Sequence, residues 1–590
     1  MPKSSSEAPN IRQTLLRLLQ SLRPWRLILL FVIICSIFSV VLVIFSPKLL
    51  GIITTNATTD LIRTGQINWP PLVNLILILL ALHIASGIIE YFQNLLVSIV
   101  AAKYSKALRE QVLEKIFTLP VAYFDKQPIG DILSRMTNDV DTVATALSQS
   151  LSELISGTTT LIGIIIMMMT ISIPLAAIAL VAIPLSVFFA SRSAHQAQKY
   201  FRAMQKTTGK LNSIAEEAYS GQIIIKSNFH GAATIAKLDQ VDQELCRQYQ
   251  KSNFLSSLAF PITNLFTYCG YIAICLVSGH LFTIGRITIG DIQAFIHYTS
   301  KFNYPITEIA QIFSTLQQAV AAAERVFDFL SLKSAPADPE PAQTITKVRG
   351  AVEFHNVNFA YQNTPVIKNF STKITPGAKV AVVGPTGAGK TTIVNLLMRF
   401  YDPTSGYITI DGVPTRHMRR ATVRQLFGMV LQDTWLFSGT VADNLRYGNP
   451  KVSDTEIIKA AKLSGVHHFI ESLPDGYQTH ISEDSDNISA GEKQLLTITR
   501  AMIANAPMMI LDEATSNVDT RTEQLIQNAF DKLSHGRTTF VIAHRLSTIR
   551  NADLILVMKN GSIIEQGNHK TLLQQNGLYA ELYRSQFEES

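Results

Sequence analysis

The chain has 590 residues, of which 47% are hydrophobic and 16% are charged, and its formal net charge is +7. One hydrophobic core does not grow to that size, so we expect at least two domains. Soluble proteins carry about 25% charged residues, and the shortage of charge points to a membrane protein because the apolar residues are clustered. The positive charge does not predict a nucleic-acid partner, since basic residues in a membrane protein mark its cytosolic loops.

Six apolar segments are long enough to cross a bilayer as helices. Lys and Arg are concentrated before the first segment and in the long segments after the second and the fourth. The positive-inside rule therefore places both termini and these long segments in the cytosol. We predict a multi-pass protein of the cell membrane, in contact with the lipid bilayer. The predicted spans cover residues 27–45, 72–102, 154–173, 175–190, 254–282 and 287–320, with a tight turn at Pro174.

The sequence changes character near residue 333. Residues 1–332 hold the six spans and long polar segments rich in helix formers, which we expect to be cytosolic helical extensions. Several prolines indicate a linker, assigned to residues 333–350. Residues 351–590 alternate short apolar runs with helical patterns, which predicts an α/β domain with a largely parallel sheet. The apolar runs lie at 380–383, 508–511 and 539–542.

A phosphate-binding loop follows the first of these runs. Backbone N–H groups in such a loop, together with the N-terminus of the next helix, favour phosphate. Lys390 would neutralise the β- and γ-phosphates of ATP, the Thr391 hydroxyl would hold Mg²⁺, and Thr392 is included in the predicted ATP site. The segment that matches G-x-x-x-x-G-K-[ST] consists of Gly384, Pro385, Thr386, Gly387, Ala388, Gly389, Lys390 and Thr391.

Two carboxylates end the apolar run at 508–511. Asp512 is predicted to reach Mg²⁺ through a water molecule. Glu513 has no structural reason to lie at the end of a buried strand. We therefore assign it as the general base that polarises the water attacking the γ-phosphate.

These motifs resemble those of the ABC transporter family. Residues from about 351 to the C-terminus are similar to its nucleotide-binding domain, and residues from about 12 to 330 are similar to the membrane domain of its multidrug-resistance-type exporters. The resemblance implies a multidomain fold, in which an all-α six-helix exporter membrane domain is fused to an α/β P-loop ABC domain. It also implies hydrolysis of ATP to ADP and phosphate, with Mg²⁺ as cofactor.

The resemblance assigns roles to further residues. Tyr361 would stack on adenine, Gln432 would touch Mg²⁺ and sense the membrane domain, and His544 would contact the γ-phosphate. Asp519 lies in the loop that crosses to the partner subunit. Residues 123–125 resemble the first cytosolic loop, whose short helix docks on an ATPase domain.

The signature segment departs from the family pattern. The family usually has Leu-Ser-Gly-Gly-Gln, whereas residues 488–492 read Ile-Ser-Ala-Gly-Glu. Ser489 and Gly491 keep part of the cap that the family places on ATP bound to the opposite subunit. Ala490 adds a methyl group where backbone should approach closely, and Glu492 brings a carboxylate near a polyanion. The resemblance therefore implies a heterodimer with a second ABC half-transporter, and a homodimer that tolerates the variant is the alternative.

The implied function is export driven by ATP hydrolysis, with alternating access. The expected cargo is amphiphilic or drug-like compounds, or lipids, moved out of the cytosol or the inner leaflet. A lipid or peptide exporter and an ATP-gated channel or regulator of the same fold are the alternatives. Polar residues in membrane spans often line a cavity, so Glu90, Asn303, Glu308 and Gln311 are candidates for cargo contact. A position at the membrane boundary for Glu90, and packing between helices for the other three, explain these residues equally well.

Overall fold

The computed structural model describes residues 11–362, 364–432, 434–482, 488–512, 520–542 and 549–587. They form two compact units. The first lies within residues 1–117 and 129–332, and the second lies within residues 118–128 and 333–590. The second unit therefore includes a short segment from the first half of the sequence.

The first unit is helical. Prolines at positions 47 and 174 lie in the first turns of α3 and α8, where a helix needs no backbone N–H donor. The break between α7 and α8 is at Ser172, whose backbone is extended, so the expectation of a turn at Pro174 was wrong by two residues. The helices are α1 (Ile11–Ser21), α2 (Arg26–Ile44), α3 (Ser46–Thr64), α4 (Trp69–Thr118), α6 (Ile129–Ser134), α7 (Val140–Ile171), α8 (Ile173–Ser220), α9 (Gln222–Ser227), α10 (Gly231–Ser257), α11 (Ala259–Thr283) and α12 (Ile289–Ser331); α5 (Val121–Phe124) belongs to the second unit.

Several of these helices are long and apolar enough to cross a membrane. Among the described residues, four helical stretches meet that standard of length and composition, namely Arg23–Thr64, Trp69–Thr118, Ile129–Ile171 and Gly231–Thr283. Two further long helices, α8 and α12, overlap the predicted fourth and sixth spans. The number of six spans therefore stays a prediction.

Close helix packing in the first unit depends on small residues. A Cβ atom on Gly290 would lie 1.7 Å from the carbonyl oxygen of Gly51, so α3 and α12 approach backbone to backbone at this pair. The Tyr298 hydroxyl of α12 donates to the carbonyl of Ile44 at 2.7 Å, where α2 ends. These contacts fix α12 against α2 and α3.

The polar parts of α8 and α10 form an antiparallel pair. The Ser193 hydroxyl donates to the carbonyl of Leu255 at 2.7 Å, and the Thr207 hydroxyl donates to Gln248 at 2.9 Å. The two helices therefore run alongside each other for several turns. Their sequences lack proline in these stretches, which allows both helices to continue without a kink.

The second unit contains two main sheets with helices around them. β11, β3, β10, β9 and β6 are neighbours in that order and run parallel, with β12 antiparallel at one edge, and a smaller antiparallel sheet has the order β2, β1, β4, β5. The strands are β1 (Val352–Tyr361), β2 (Thr364–Ile374), β3 (Lys379–Val383), β4 (Ser405–Ile410), β5 (Val413–Pro414), β6 (Phe427–Val430), β7 (Gly439–Thr440), β8 (His480–Ile481), β9 (Met508–Asp512), β10 (Thr538–Ile542), β11 (Leu554–Lys559) and β12 (Ser562–Gly567). The helices are α13 (Lys390–Leu397), α14 (Arg420–Gln425), α15 (Val441–Arg446), α16 (Asp454–Ser464), α17 (His467–Ser472), α18 (Ala490–Ala504), α19 (Thr520–Ser534), α20 (His569–Gln575) and α21 (Leu578–Phe587).

The central strands are buried on both faces. In β3, Val380 and Val382 belong to one hydrophobic cluster, whereas Ala381 and Val383 belong to another on the opposite face of the sheet. A strand covered on both sides needs apolar residues at every position. This explains why the three apolar runs of the sequence became the adjacent strands β3, β10 and β9, and it confirms the predicted α/β class with a largely parallel sheet.

Candidate functional site

The phosphate loop connects β3 to α13, and its glycines are required by its shape. Gly387 and Gly389 have φ angles of +82° and +100°, which side-chain-bearing residues rarely adopt. A Cβ atom on Gly384 would lie 2.3 Å from the carbonyl oxygen of Met558. The loop can therefore turn its backbone N–H groups inward without a side chain in the way.

Lys390 is the first residue of α13. Its Nζ donates to the carbonyls of Gly384 at 2.7 Å and Pro385 at 3.2 Å, so the ammonium group lies across the loop. Burial lowers the pKa of the Lys390 ammonium below its ordinary value, and the charge of Asp512 opposes that effect. A half-buried cation held by loop carbonyls beside a helix N-terminus is well suited to an anion.

Other predicted site residues lie at the carboxyl edge of the sheet, where the loop also lies. Asp512 ends β9, and Gln432 follows β6, the strand beside β9. Ligands of parallel α/β sheets bind at this edge. Thr391 is exposed in the first turn of α13, whereas Thr392 is buried among the core side chains of that helix.

The residues present fit a nucleoside triphosphate with Mg²⁺. The loop offers a cradle that a Cβ atom would fill and a lysine across it, while Asp512 and the exposed hydroxyl of Thr391 offer the hard oxygen donors that Mg²⁺ prefers. Glu513, Asp519 and His544 lie outside the described residues.

Tyr361 lies at the end of β1, next to α13. Its hydroxyl accepts a hydrogen bond from the Asn395 side chain of α13 at 3.1 Å. Phe359 and Tyr401 pack edge-on against its ring, with centroids 4.8 and 5.1 Å away. The predicted adenine-stacking ring is therefore fixed to the helix that starts at Lys390.

Tyr401 also contacts the segment from the first half of the chain. Its hydroxyl donates to the carboxylate of Asp125, the residue after α5. Burial, and then Asp125, raise the pKa of the Tyr401 hydroxyl above its ordinary value, so that group stays a donor. One aromatic side chain thus lies between Tyr361 and the predicted coupling loop.

The signature segment opens α18 with a capping box. The Ser489 backbone N–H and hydroxyl donate to Glu492 at 2.9 and 2.7 Å, and the Glu492 backbone N–H donates to the Ser489 hydroxyl at 3.4 Å. Glu492 is therefore bound to the serine that the resemblance assigns to γ-phosphate recognition. Gly491 is buried in the first turn of α18.

The first unit encloses a polar cavity of about 670 Å³ between its helices. Two of its serines, Ser36 and Ser152, are 1% and 8% exposed, and their hydroxyl oxygens have no hydrogen-bond partner among the residues that the structure describes. Buried hydroxyl groups are normally paired, so these two can offer hydrogen bonds to a polar group that enters the cavity. Glu90 and Glu308, both proposed from the sequence, line this cavity, which we call the central cavity.

The other sequence candidates differ. Gln311 is not among the lining residues, and the side chain of Asn303 lies outside the described part. Sequence reasoning also missed Glu153 and Lys301, which line the central cavity. Charged residues inside a helix that continues an apolar span were the available signal.

Comparisons with known proteins agree with this geometry. Residues 29–306 match the ABC transporter transmembrane region, and residues 367–516 match the ABC transporter family. The "Fatty acid ABC transporter ATP-binding/permease protein" of Mycobacterium bovis is 45% identical over 86% of this chain and 80% of its own length. The "ATP-dependent lipid A-core flippase" of Syntrophus aciditrophicus is 36% identical over 89% of this chain and 86% of its own. A solved bacterial Atm1-family ABC exporter with ATP bound is 26% identical, with a TM-score of 0.73 and coverage of 96% of this chain and 98% of that one.

Proposed function

Because the chain belongs to the ABC transporters, as an exporter subunit that fuses a membrane domain with an ATPase domain, we propose that it moves amphiphilic molecules out of the inner leaflet by alternating access. Proteins of this family hydrolyse ATP to drive transport and work as dimers in the cell membrane, with the ATPase domain in the cytosol. The cargo, the roles of individual residues and the composition of the dimer are the parts that we infer.

We assign the chemistry to the sheet edge of the ATPase domain. Lys390 and the backbone of residues 384–389 would bind the β- and γ-phosphates, and Tyr361 would stack on adenine. Glu513 would accept a proton from the attacking water, and His544 would orient the γ-phosphate. Mg²⁺, when held by Thr391, Gln432 and Asp512, would neutralise part of the phosphate charge.

ATP can change the direction of access only if it binds one state better than the other. We infer that the two ATPase domains close around ATP with Ser489, Gly491 and Asp519 of each chain facing the nucleotide of the other. Closure would then be transmitted through the segment that contains Asp125, which continues directly from α4. Hydrolysis removes the ligand that favours closure and resets the cycle.

The central cavity carries the cargo proposal. Its two unpaired buried serine hydroxyls offer hydrogen bonds to a polar group, while its other walls are partly apolar. Glu90, Glu153 and Glu308 outnumber the single ammonium group of Lys301 there. An amphiphile with a cationic or zwitterionic head group fits this charge better than a fatty acid, whose carboxylate would be repelled. The fatty-acid and lipid transporters among the relatives support an amphiphile in general.

Vesicle transport tests this function. Inside-out vesicles with the chain and its partner subunit should accumulate a cationic dye against its gradient when ATP is added, and Lys390→Ala should abolish the accumulation. Glu308→Gln should reduce dye transport severalfold while basal ATP hydrolysis persists, whereas Glu114→Gln, an exposed position of α4 outside the cavity, should not. Dye movement that only follows its gradient would support a channel and contradict a pump.

A further inference from the structure

A second cavity of the first unit differs from the central cavity in its volume, its lining residues and the polarity of its walls. It has a volume of about 430 Å³ and lies beneath α1, and its walls are almost entirely apolar. None of its lining residues lines the central cavity. We call it the α1 cavity and define it by Leu15, Leu19, Leu22, Leu29, Leu147 and Leu316.

Two arginines lie at the edge of the α1 cavity. Arg23 and Arg26 belong to its lining, both are exposed, and within the described ranges neither guanidinium group forms a hydrogen bond or an ion pair. Trp25 lies between them and packs edge-on against Tyr104, with ring centroids 6.0 Å apart. The Tyr104 hydroxyl in turn shares a hydrogen bond of 2.8 Å with Ser21, the last residue of α1.

These arginine and aromatic side chains indicate the depth of the bilayer at which the edge of the α1 cavity lies. Trp and Tyr concentrate at the level of the lipid head groups, and arginine side chains extend to that level from the edge of the hydrocarbon. α2 leads from Arg26 directly into the first apolar span, so the arginines lie on the cytosolic side. Anionic lipid phosphates lie at the same level, and a guanidinium group pairs with phosphate through two parallel hydrogen bonds.

We propose that the α1 cavity binds one anionic phospholipid of the cytosolic leaflet, with an acyl chain among the leucines and the phosphate on Arg23 and Arg26. The apolar walls exclude a polar ligand, and the two unpaired cations select a negative head group. This lipid is a resident component and not cargo, because Glu90, Glu153 and Glu308 against Lys301 make the central cavity negative, and a negative cavity repels an anionic head group. It ties α1 to α7 and α12, which contribute Leu147 and Leu316 to the walls.

Fluorescence quenching tests the site without ATP. Trp25 is one of three tryptophans, and replacement of Trp69 and Trp435 by Phe leaves it as the only reporter. The full chain is reconstituted into phosphatidylcholine vesicles that contain increasing amounts of brominated phosphatidylglycerol or brominated phosphatidylcholine. We expect saturable quenching of Trp25 with a preference for phosphatidylglycerol. Arg23→Gln with Arg26→Gln should reduce this preference by about fivefold or more, because each surface cation contributes roughly that factor to binding of an anionic lipid.

A matched variant distinguishes a specific lipid site from general electrostatic attraction between arginines and anionic lipids. Arg12→Gln with Arg17→Gln removes the same amount of charge from α1, and neither residue lines the cavity, so this variant should keep the preference. Ala146→Phe, which fills the cavity from α7, should abolish saturation while the helical circular dichroism persists. Equal loss in both double arginine variants would overturn the proposal. So would equal quenching of the parent chain by the two lipids, as expected if a partner subunit or residues 1–10 fill the cavity.

Discussion

The hydroxyl group of Ser489 donates its proton to Glu492, at the helix start that the family uses to recognise ATP on the opposite subunit. A carboxylate is a stronger acceptor than the glutamine that is usual at this position. The serine is therefore occupied, and a negative charge is added at the helix N-terminus, where phosphate would bind. We expect both effects to weaken the cap that this chain would offer to its partner.

Glu492→Gln should restore the cap. A glutamine can keep the capping box through its carbonyl oxygen, while the negative charge disappears and the serine proton becomes available. A hydrogen bond to a charged group contributes about 1.5–3 kcal/mol, so ATP turnover at the site completed by this segment should rise by about tenfold. Phosphate release from the purified full chain at saturating ATP measures the change.

The same domain provides a matched control. Ser453 and Glu456 form a capping box at the start of α16 with distances of 3.0, 2.7 and 3.4 Å, nearly those of Ser489 and Glu492. Glu456→Gln should leave turnover unchanged. If Glu492→Gln raises turnover by the same factor when Ser489 is replaced by Ala, the lost negative charge accounts for the whole effect, and release of the serine hydroxyl is contradicted as a cause.

Among the elements of the ATPase domain, the loop after α13 carries Tyr401, which contacts both the predicted adenine-stacking ring and the segment that contains Asp125. Tyr401 packs on Tyr361, the predicted adenine-stacking ring, and donates a hydrogen bond to Asp125 after α5. The ring contact and the hydrogen bond belong to different parts of one side chain. They can therefore be removed separately.

Tyr401→Phe should separate coupling from nucleotide binding. The substitution keeps the ring against Tyr361 and removes a hydrogen bond that contributes about 1 kcal/mol. We expect an unchanged KM for ATP and a severalfold lower ratio of cargo moved to ATP hydrolysed, both measured in vesicles. Tyr401→Ala should also raise the KM for ATP, because the ring of Tyr361 loses its neighbour.

Tyr407→Phe is the control for this prediction. Tyr407 on β4 stacks on His355 and has no contact with the nucleotide residues that the structure describes. It should change neither quantity. An unchanged transport ratio in Tyr401→Phe would contradict a coupling role for the hydroxyl group.

The sequence predicts well those elements whose conformation depends on residues nearby in the chain. The apolar runs at 380–383, 508–511 and 539–542 became strands of one parallel sheet, and Gly387 and Gly389 of the predicted phosphate loop have positive φ angles, which glycine adopts most easily. In these cases burial on both faces, or backbone sterics, acts within a few residues.

Residues that depend on distant parts of the chain were missed. Tyr401 becomes relevant only through Asp125, 276 positions away. Ser36 and Ser152 look like ordinary small residues of apolar helices, and their burial without a partner exists only after those helices pack. The capping box of Ser489 and Glu492 could have been found, since S-x-x-E is a local pattern, but the family signature directed attention to phosphate.

On the scale of the whole molecule, the expected weakening of the cap has different consequences in a homodimer and in a heterodimer. In a homodimer, both ATP sites would combine an intact Lys390 loop with a weakened Ser489 cap. In a heterodimer, the intact loop of this chain would meet the signature segment of another half-transporter, and the weakened cap would face a site that need not hydrolyse ATP. We therefore propose a heterodimer.

Hydrolysis by the separate and combined chains tests this proposal. The chain alone should hydrolyse ATP about tenfold or more slowly than the pair. Each ATP site of the chain alone would lack the hydrogen bond from the cap serine to the charged phosphate. Within the pair, Lys390→Ala in this chain should abolish turnover, whereas replacement of the corresponding lysine in the partner should leave most of it. The asymmetry follows because the productive site takes its phosphate loop from this chain and its cap from the partner. Fast hydrolysis by this chain alone, or equal loss from either lysine, would instead indicate a symmetric dimer that tolerates Glu492.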